Sequence, residues 1–576
     1  MKSKVKSQKA KEIFPFVLYL LLALTSGVLM GLTVAPVGAW FLAWVALAPL
    51  WVMVVEKSQN LEGRRNKLFL LPFSFYLVPL LWGIGYHGVA LFWITGIHPM
   101  DWLGVPWWPS LAITFFCLSF ISLWGGIFAA IWAGAIACFN LQKSLPRILI
   151  GTAIWCGLES LWSAGPLWWS SLAYTQSPHN LVILHLGQLS GPNTVTAAIV
   201  AINGLIAEAW INYQQASNKR DESHNKDLFP YTPTPPHPYT PTPLHPYTPT
   251  PLHPYTPTPL HPYTPTPFKY LAIATGLLIT LHLIGFLLYT RPIAQPPAAT
   301  LKVGIIQGNI PNKIKLLPEG VQRAIRGYTE GYLTLVNQGV DAVLTPEGAM
   351  PFFDKDLAVT PLVAAIEDKG VIAWVGAFGR KGRSYTNSLF TVNGQGELTS
   401  RYDKSKLVPL GEYIPFEEIL GAIIQRLSPL DEHQVHGSPN QIFDTPFGRA
   451  IVGICYESAF PEVFRRQAAE GGEFILSASN DAHYSAAMPF QHHAQDIMRA
   501  IETDRWSVRA TNTGYSAFVD PHGKTLWMSG YNTYETQAAT IYRRQSKTLY
   551  VRWGDWLTPL LLGLGLIAFA NWWRSS

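Results

Sequence analysis

The thiol of Cys455 is the group in this chain best placed to attack a carbonyl. In the run Ile451-Val-Gly-Ile-Cys-Tyr-Glu457 it ends an apolar, β-branched stretch that predicts a buried strand, with an acid two positions on. A side chain at the C-terminal end of a central strand faces the crevice where layered α/β folds hold their ligands. Cys117, Cys138 and Cys156 lie in long apolar runs, so Cys455 is the sole thiol of the polar half. Two further strand ends carry charge. Leu344-Thr-Pro-Glu347 puts a carboxylate after a strand that Pro346 stops. Ser400-Arg-Tyr-Asp-Lys404 ends in an ammonium and is followed by Leu407-Val-Pro-Leu-Gly-Glu412. A carboxylate can take the proton that a thiol must lose before it attacks. An ammonium can then stabilise the oxyanion of a tetrahedral intermediate. Glu347, Lys404 and Cys455 together suffice for acyl transfer with no metal and no cofactor. Taken singly, each has a plainer use, as a helix cap, a solvated charge and a small buried strand residue.

The elements around these residues alternate in type. Strands are expected at 301–307, 342–344, 371–375, 387–392, 451–455 and 474–476, and helices at 319–337, 357–368, 458–470 and 490–503. Strands alternating with helices argue for a layered α/β domain.

The remainder of the chain is of another kind. Charged residues make up 14% of the 576 positions and tryptophan is abundant at 22, against roughly 25% charged in ordinary soluble domains. The net charge of +6 does not mark a nucleic-acid surface, because the basic residues fall at the ends of apolar runs and read as topology signals. The basic arm of residues 1–11 leads into an apolar run, 13–31, and a second run, 39–55, follows closely. That pairing favours a retained transmembrane helix over a cleaved signal. Basic loops at Lys57/Arg64/Arg65/Lys67, at Lys143/Arg147 and at Lys219/Arg220/Lys226 stay cytoplasmic. An even number of crossings must separate them, giving six spans at about 13–31, 39–55, 68–96, 109–138, 147–164 and 183–211. The third and fourth are long and are expected to tilt or break at Gly83-Ile-Gly85 and Gly125-Gly126. Trp107-Trp108 and Trp168-Trp169 fall where an outer aromatic belt would put them. Few charges interrupt the spans, chiefly Glu159 and Glu208 near span ends.

From Tyr231 onward the octad Tyr-Thr-Pro-Thr-Pro-Leu-His-Pro recurs to Pro267, and proline at every second or third place forbids helix and sheet. Its regular histidines do not converge as metal ligands would. The expected organisation is spans one to six over 1–212, a disordered cytoplasmic Pro-rich insertion over 213–269 and a seventh span over 270–290. A catalytic domain over 291–554 and an eighth span with the C-terminal tail over 555–576 complete it. The polar half is then tethered at both ends to the outer face of the membrane, with both termini cytoplasmic.

Three motifs in order, Thr345-Pro-Glu347, Tyr402-Asp-Lys404 with Leu407-Val-Pro-Leu-Gly-Glu412, and Gly453-Ile-Cys-Tyr-Glu457, resemble the nitrilase (carbon–nitrogen hydrolase) superfamily. The resemblance implies an αββα sandwich with Glu347 as general base, Lys404 as oxyanion stabiliser and Cys455 as nucleophile. Lys406 lacks the Tyr-Asp lead-in and is set aside. Glu412 and Glu457 match supporting acids that orient the lysine and shape the pocket. A domain of this kind before the last of eight spans looks like the apolipoprotein N-acyltransferase family. Glu159, Gly165-Pro-Leu-Trp168, Tyr174-Thr-Gln176, Ser479-Asn-Asp-Ala482 and Arg509-Ala-Thr-Asn-Thr-Gly514 are similar to further motifs of that family. Where it usually has an aromatic pair beginning with Trp, this chain has His483-Tyr484, which the resemblance implies as substrate-binding residues of the acyl pocket.

That likeness implies a multi-pass bacterial inner-membrane enzyme with its catalytic domain on the periplasmic face. Its donor would be a phospholipid and its acceptor a diacylglyceryl apolipoprotein, with no nucleic acid, no cofactor and a monomeric state. Tyr413-Ile-Pro-Phe416 and the apolar stretch 419–424 suggest an arm dipping into the bilayer, or else a core helix. A membrane-tethered amidase would share all three catalytic residues. A receptor or transporter would not need the triad, while eight spans exceed what an anchor needs.

Overall fold

In hydrocarbon the backbone polar groups can pair only with one another, so apolar chain of span length folds as helix. The computed structural model describes residues 2–59, 72–101, 104–139, 143–227, 266–409, 411–413, 434–482 and 484–575. Its first half is built from α1 (Lys2–Gly31), α2 (Ala48–Gln59), α3 (Phe73–Ala90), α4 (Trp107–Phe139), α5 (Ser144–Ala164), α6 (Pro192–Asp227) and α7 (Thr266–Tyr289). Among the described residues, Trp40–Gln59, Trp107–Phe139, Pro192–Asn218 and Phe268–Tyr289 are long and apolar enough to cross a membrane. The other four expected span positions are helical without meeting that measure. The octad repeat up to residue 265, Arg64, Arg65, Lys67 and the segment 414–433 lie outside the described residues.

Several expectations need correction. The third span is not one helix over 68–96, since α3 stops at Ala90 and a 3-10 turn, Phe92–Ile97, follows. The glycine pairs do not break α3 or α4. They let the two helices touch: a Cβ on Gly83 would lie 2.6 Å from the Gly126 Cα, the close approach that small residues permit in membranes. The sixth helix begins at Pro192, after two single turns, Leu181–Leu184 and Gly187–Ser190. It runs to Asp227, past the boundary expected at 212, because no glycine or proline interrupts 205–229 and the residues there tolerate helix. Arg147 is not a loop cation. It is buried and grips Glu208 of α6 through two bonds of 2.6 and 2.7 Å. Trp168 and Trp169 are buried too, Trp168 against Phe128 and His87, so they belong to no lipid-facing belt.

Among the described residues, the polar half contains two six-stranded sheets. In the first, β1 (Thr300–Gln307), β2 (Ala342–Leu344) and β3 (Ile372–Lys381) run parallel; β4 (Ser384–Val392) and β5 (Leu398–Asp403) extend one edge and β12 (Glu535–Tyr542) the other. In the second, β7 (Gly448–Ile454), β8 (Phe474–Ser479) and β9 (Ser507–Thr511) run parallel between β6 (Phe443–Thr445) and the pair β10 (Ala517–Val519) and β11 (Thr525–Met528). Leu301, Val303, Trp374, Val452, Leu476 and Val508 fill the space between the sheets. Helices α8 (Pro318–Val336) and α9 (Pro361–Lys369) cover the first sheet, and α10 (Pro461–Ala469) and α11 (Ala487–Thr503) the second. The result is the four-layered αββα order. A last helix, α12 (Leu557–Ser575), returns beside α5.

Two helical expectations here were too long. The run 357–368 divides into the turn Asp354–Leu357 and α9, because Pro361 opens a new helix whose cap is Thr360. The run 458–470 likewise restarts at Pro461, after a 3-10 turn at Cys455–Ala459.

Candidate active site

β7 delivers the thiol. The strand ends at Ile454, and Cys455 turns away from the sheet at φ 50°, a left-handed conformation that costs a non-glycine residue about 1–2 kcal/mol. Glu457 holds that turn. One carboxylate oxygen accepts from the Ile454 N–H at 2.8 Å. The other accepts from the Ser405 N–H at 2.8 Å, the Ser405 hydroxyl at 2.5 Å and the Tyr402 hydroxyl at 3.1 Å. Glu457 thus ties the turn of Cys455 to Ser405, the residue beside Lys404. Burial pushes its carboxyl upward, against the pull of these donors.

Lys404 follows β5 and is 1% exposed. Its ammonium donates to Glu347 at 2.9 Å and to Glu412 at 2.7 Å. Burial alone would lower it, but Glu347, Glu412 and the neighbouring thiol hold it well above the ordinary lysine range. Glu347 also accepts from the Asn387 amide at 2.7 Å, and the second oxygen of Glu412 accepts from the Val408 N–H at 2.7 Å. Burial raises the Cys455 thiol well above its usual range; Glu347 adds to the rise and Lys404 opposes it. At neutral pH the sulfur keeps its proton until a base removes it. Lys406 sits elsewhere, its ammonium 4.8 Å above the Phe460 ring.

Sequence reasoning did not single out Lys315, His492 or Asp496 around this centre, and it named Asp481 and Arg509 only within longer motifs. The Lys315 ammonium donates to the Glu347 carbonyl at 3.1 Å, and burial lowers it to about 8. His492 of α11 bonds the Cys455 carbonyl oxygen through Nε2 at 2.8 Å and Asp481 through Nδ1 at 2.9 Å. Arg509 pairs with Asp481 at 3.0 Å and Asp496 at 2.5 Å. The run from 509 to 514 was itself legible as a motif, whereas the face of α11 that meets the thiol was not. Cys455, Asp481 and His492 bring potential metal-ligand atoms within 4.8 Å of one another. Both ring nitrogens of His492 are already engaged by oxygen atoms within the protein. Tyr456 lies flat against Trp169, with centroids 5.9 Å apart and planes 3° apart, and its hydroxyl donates to the Pro166 carbonyl. Tyr484 meets Trp93 edge-on at 4.9 Å, while His483 lies outside the described residues.

The chain matches two sequence families: carbon-nitrogen hydrolase over residues 302–549, and the apolipoprotein N-acyltransferase N-terminal domain over residues 26–205. It is 70% identical over 549 residues to an apolipoprotein N-acyltransferase of Nostoc sp., covering 95% of this chain and 98% of the relative. It is 46% identical to one of Synechocystis sp. over 94% of this chain and 98% of the relative. Among solved structures, an amidase from Nesterenkonia sp. aligns with 47% of this chain and 98% of its own, at 18% identity and a TM-score of 0.34.

Proposed function

This chain belongs to the apolipoprotein N-acyltransferase family, and on that premise we propose that Cys455 carries a fatty acyl group from a membrane phospholipid to an apolipoprotein. The observation that supports this reading is the buried ammonium of Lys404, held between Glu347 and Glu412 beside the thiol. Glu347 takes the Cys455 proton, and the sulfur attacks the ester carbonyl carbon of the phospholipid. Negative charge gathers on the carbonyl oxygen, where Lys404 stabilises it with the one ammonium proton that Glu347 and Glu412 do not use. The intermediate collapses as Glu347 returns the proton to the departing lysophospholipid hydroxyl, leaving an S-acyl thioester. The α-amino group of the diacylglyceryl-cysteine at the acceptor's N-terminus then attacks the thioester. Glu347 removes a proton from that nitrogen, an amide forms, and the sulfur leaves and is reprotonated.

The reading extends to location. The basic loops put both chain termini in the cytoplasm and the sandwich on the periplasmic face of the inner membrane. Both substrates keep their lipid chains in the bilayer there, and the packing of Tyr456 on Trp169 and Pro166 supports a site built against the membrane half.

The test supplies the purified enzyme with phospholipid and a diacylglyceryl-cysteine peptide and follows the peptide's mass. Wild type should yield triacylated peptide. Glu347→Gln, Lys404→Met and Cys455→Ala should each lose about a thousandfold or more in rate, as removal of a catalytic unit does. Fatty acid released to water with no peptide product would identify a hydrolase instead.

A further inference from the structure

The nucleophile's backbone is gripped from behind by a helix that the membrane half holds in place. α11 carries Gln491 and His492 side by side. Every polar atom of the Gln491 amide is used by the first half of the chain. Its oxygen accepts from the indoles of Trp93 at 3.0 Å and Trp169 at 2.9 Å, and its nitrogen donates to the carbonyls of Ala35 at 2.9 Å and Ala90 at 2.8 Å. His492, with no exposed surface, spans from Asp481 to the Cys455 carbonyl. The Cys455 carbonyl oxygen can only accept, so the bond at that end requires a proton on Nε2. The buried carboxylates of Asp481 and Asp496 are paired with the Arg509 guanidinium, and Asp481 also with His492, which offsets the desolvation cost of burying them. Trp169 edges onto the His492 ring with centroids 5.7 Å apart.

We propose that His492 is a positioning residue: its Nε2–H holds the Cys455 carbonyl, and thereby the left-handed turn that aims the sulfur, with Gln491 fixing the helix to the membrane half. The bond matters because a φ of 50° is not where a cysteine rests by itself. Released, the turn relaxes toward ordinary φ and carries Sγ away from Glu347 and Lys404. Lipid binding would be little affected while acylation slows. This inference rests on the reading of Cys455 as the nucleophile.

Two substitutions separate the ends of the imidazole. In His492→Gln the amide nitrogen reaches the position of Nε2 and keeps a donor for the Cys455 carbonyl. In His492→Asn it reaches only Nδ1, keeping the Asp481 bond and losing the other. Acylation of Cys455 by phospholipid is followed by intact mass in single turnovers at varied lipid concentration, on full-length protein, with thermal unfolding recorded alongside. The Asn variant should acylate about a hundredfold more slowly with its half-saturating lipid concentration within about threefold of wild type, and the Gln variant should stay within about tenfold of wild-type rate. Asn acylating at wild-type rate, or Gln losing as much as Asn, overturns the inference. Should Asn fail to fold, Gln alone decides by the same tenfold margin. Absence of any Cys455 adduct on wild type would overturn the proposed function itself, and this inference with it.

Discussion

A cysteine with its proton held on by burial and a neighbouring carboxylate is a poor nucleophile until something takes that proton. For Cys455 the shift is upward, so at any pH it offers less thiolate than an exposed thiol. Alkylation of Cys455 by iodoacetamide should therefore climb with pH through about 9 and beyond, with no plateau below about pH 8. A plateau near neutrality would mean a pre-formed thiolate–ammonium pair and would remove Glu347 from its role as base. Glu412 acts at one remove. Glu412→Gln keeps a hydrogen-bond acceptor for Lys404 but takes away one of the two carboxylates that hold its charge. Turnover should fall about ten- to a hundredfold with the lipid KM little changed, a split that steady-state kinetics reads directly. Glu347, Lys404 and Cys455, the trio proposed to be catalytic, stood out in the sequence because each follows a strand in a distinctive motif, and the fold brings Glu347 and Lys404 into contact. Lys315 and His492 did not, since Lys315 ends a single helical turn, Asn312–Lys315, that carries no distinctive motif, and His492 is one of two adjacent histidines on a helix. Only packing decides which histidine meets Cys455.

Element boundaries depended on prolines and on burial that a linear pattern does not show. Pro361, Pro461 and Pro192 each open a helix where a longer or earlier one was expected. β9 carries Arg509 in the middle of a fully buried strand, which hides it from any alternation rule. The pair Arg147–Glu208 shows the same limit. A basic residue next to a loop reads as a topology signal, yet here it joins α5 to α6 inside the helical half, with the Trp51 indole 3.3 Å from the same carboxylate. Arg147→Met leaves Glu208 buried without its partner and should cost about 3–5 kcal/mol, whereas Arg147→Met with Glu208→Gln should recover most of that loss. Thermal unfolding in detergent measures both. Equal destabilisation in single and double variants would show that the charge pair is not what the site requires.

At the scale of the molecule, the sandwich is legible as a domain but is not a separate body. Phe460, Met488, Ile497, Met498 and Ile501 share one continuous apolar core with Trp93, Leu172, Leu184 and other residues of the helical half. Cut free, residues 291–554 would expose that face together with Tyr456 and Gln491. The excised domain should then aggregate or require detergent, which sedimentation would show; a soluble, monodisperse domain would contradict a shared core. The same continuity sets the turn that carries Cys455 against the helical half. The most direct test of the account is intact-mass analysis of the full-length enzyme incubated with phospholipid, wild type beside Cys455→Ala. A mass gain of one acyl chain that hydroxylamine removes, present in wild type and absent from the variant, is the predicted result. Wild type that turns over with no adduct at any time point, or an adduct that persists in Cys455→Ala, would contradict it.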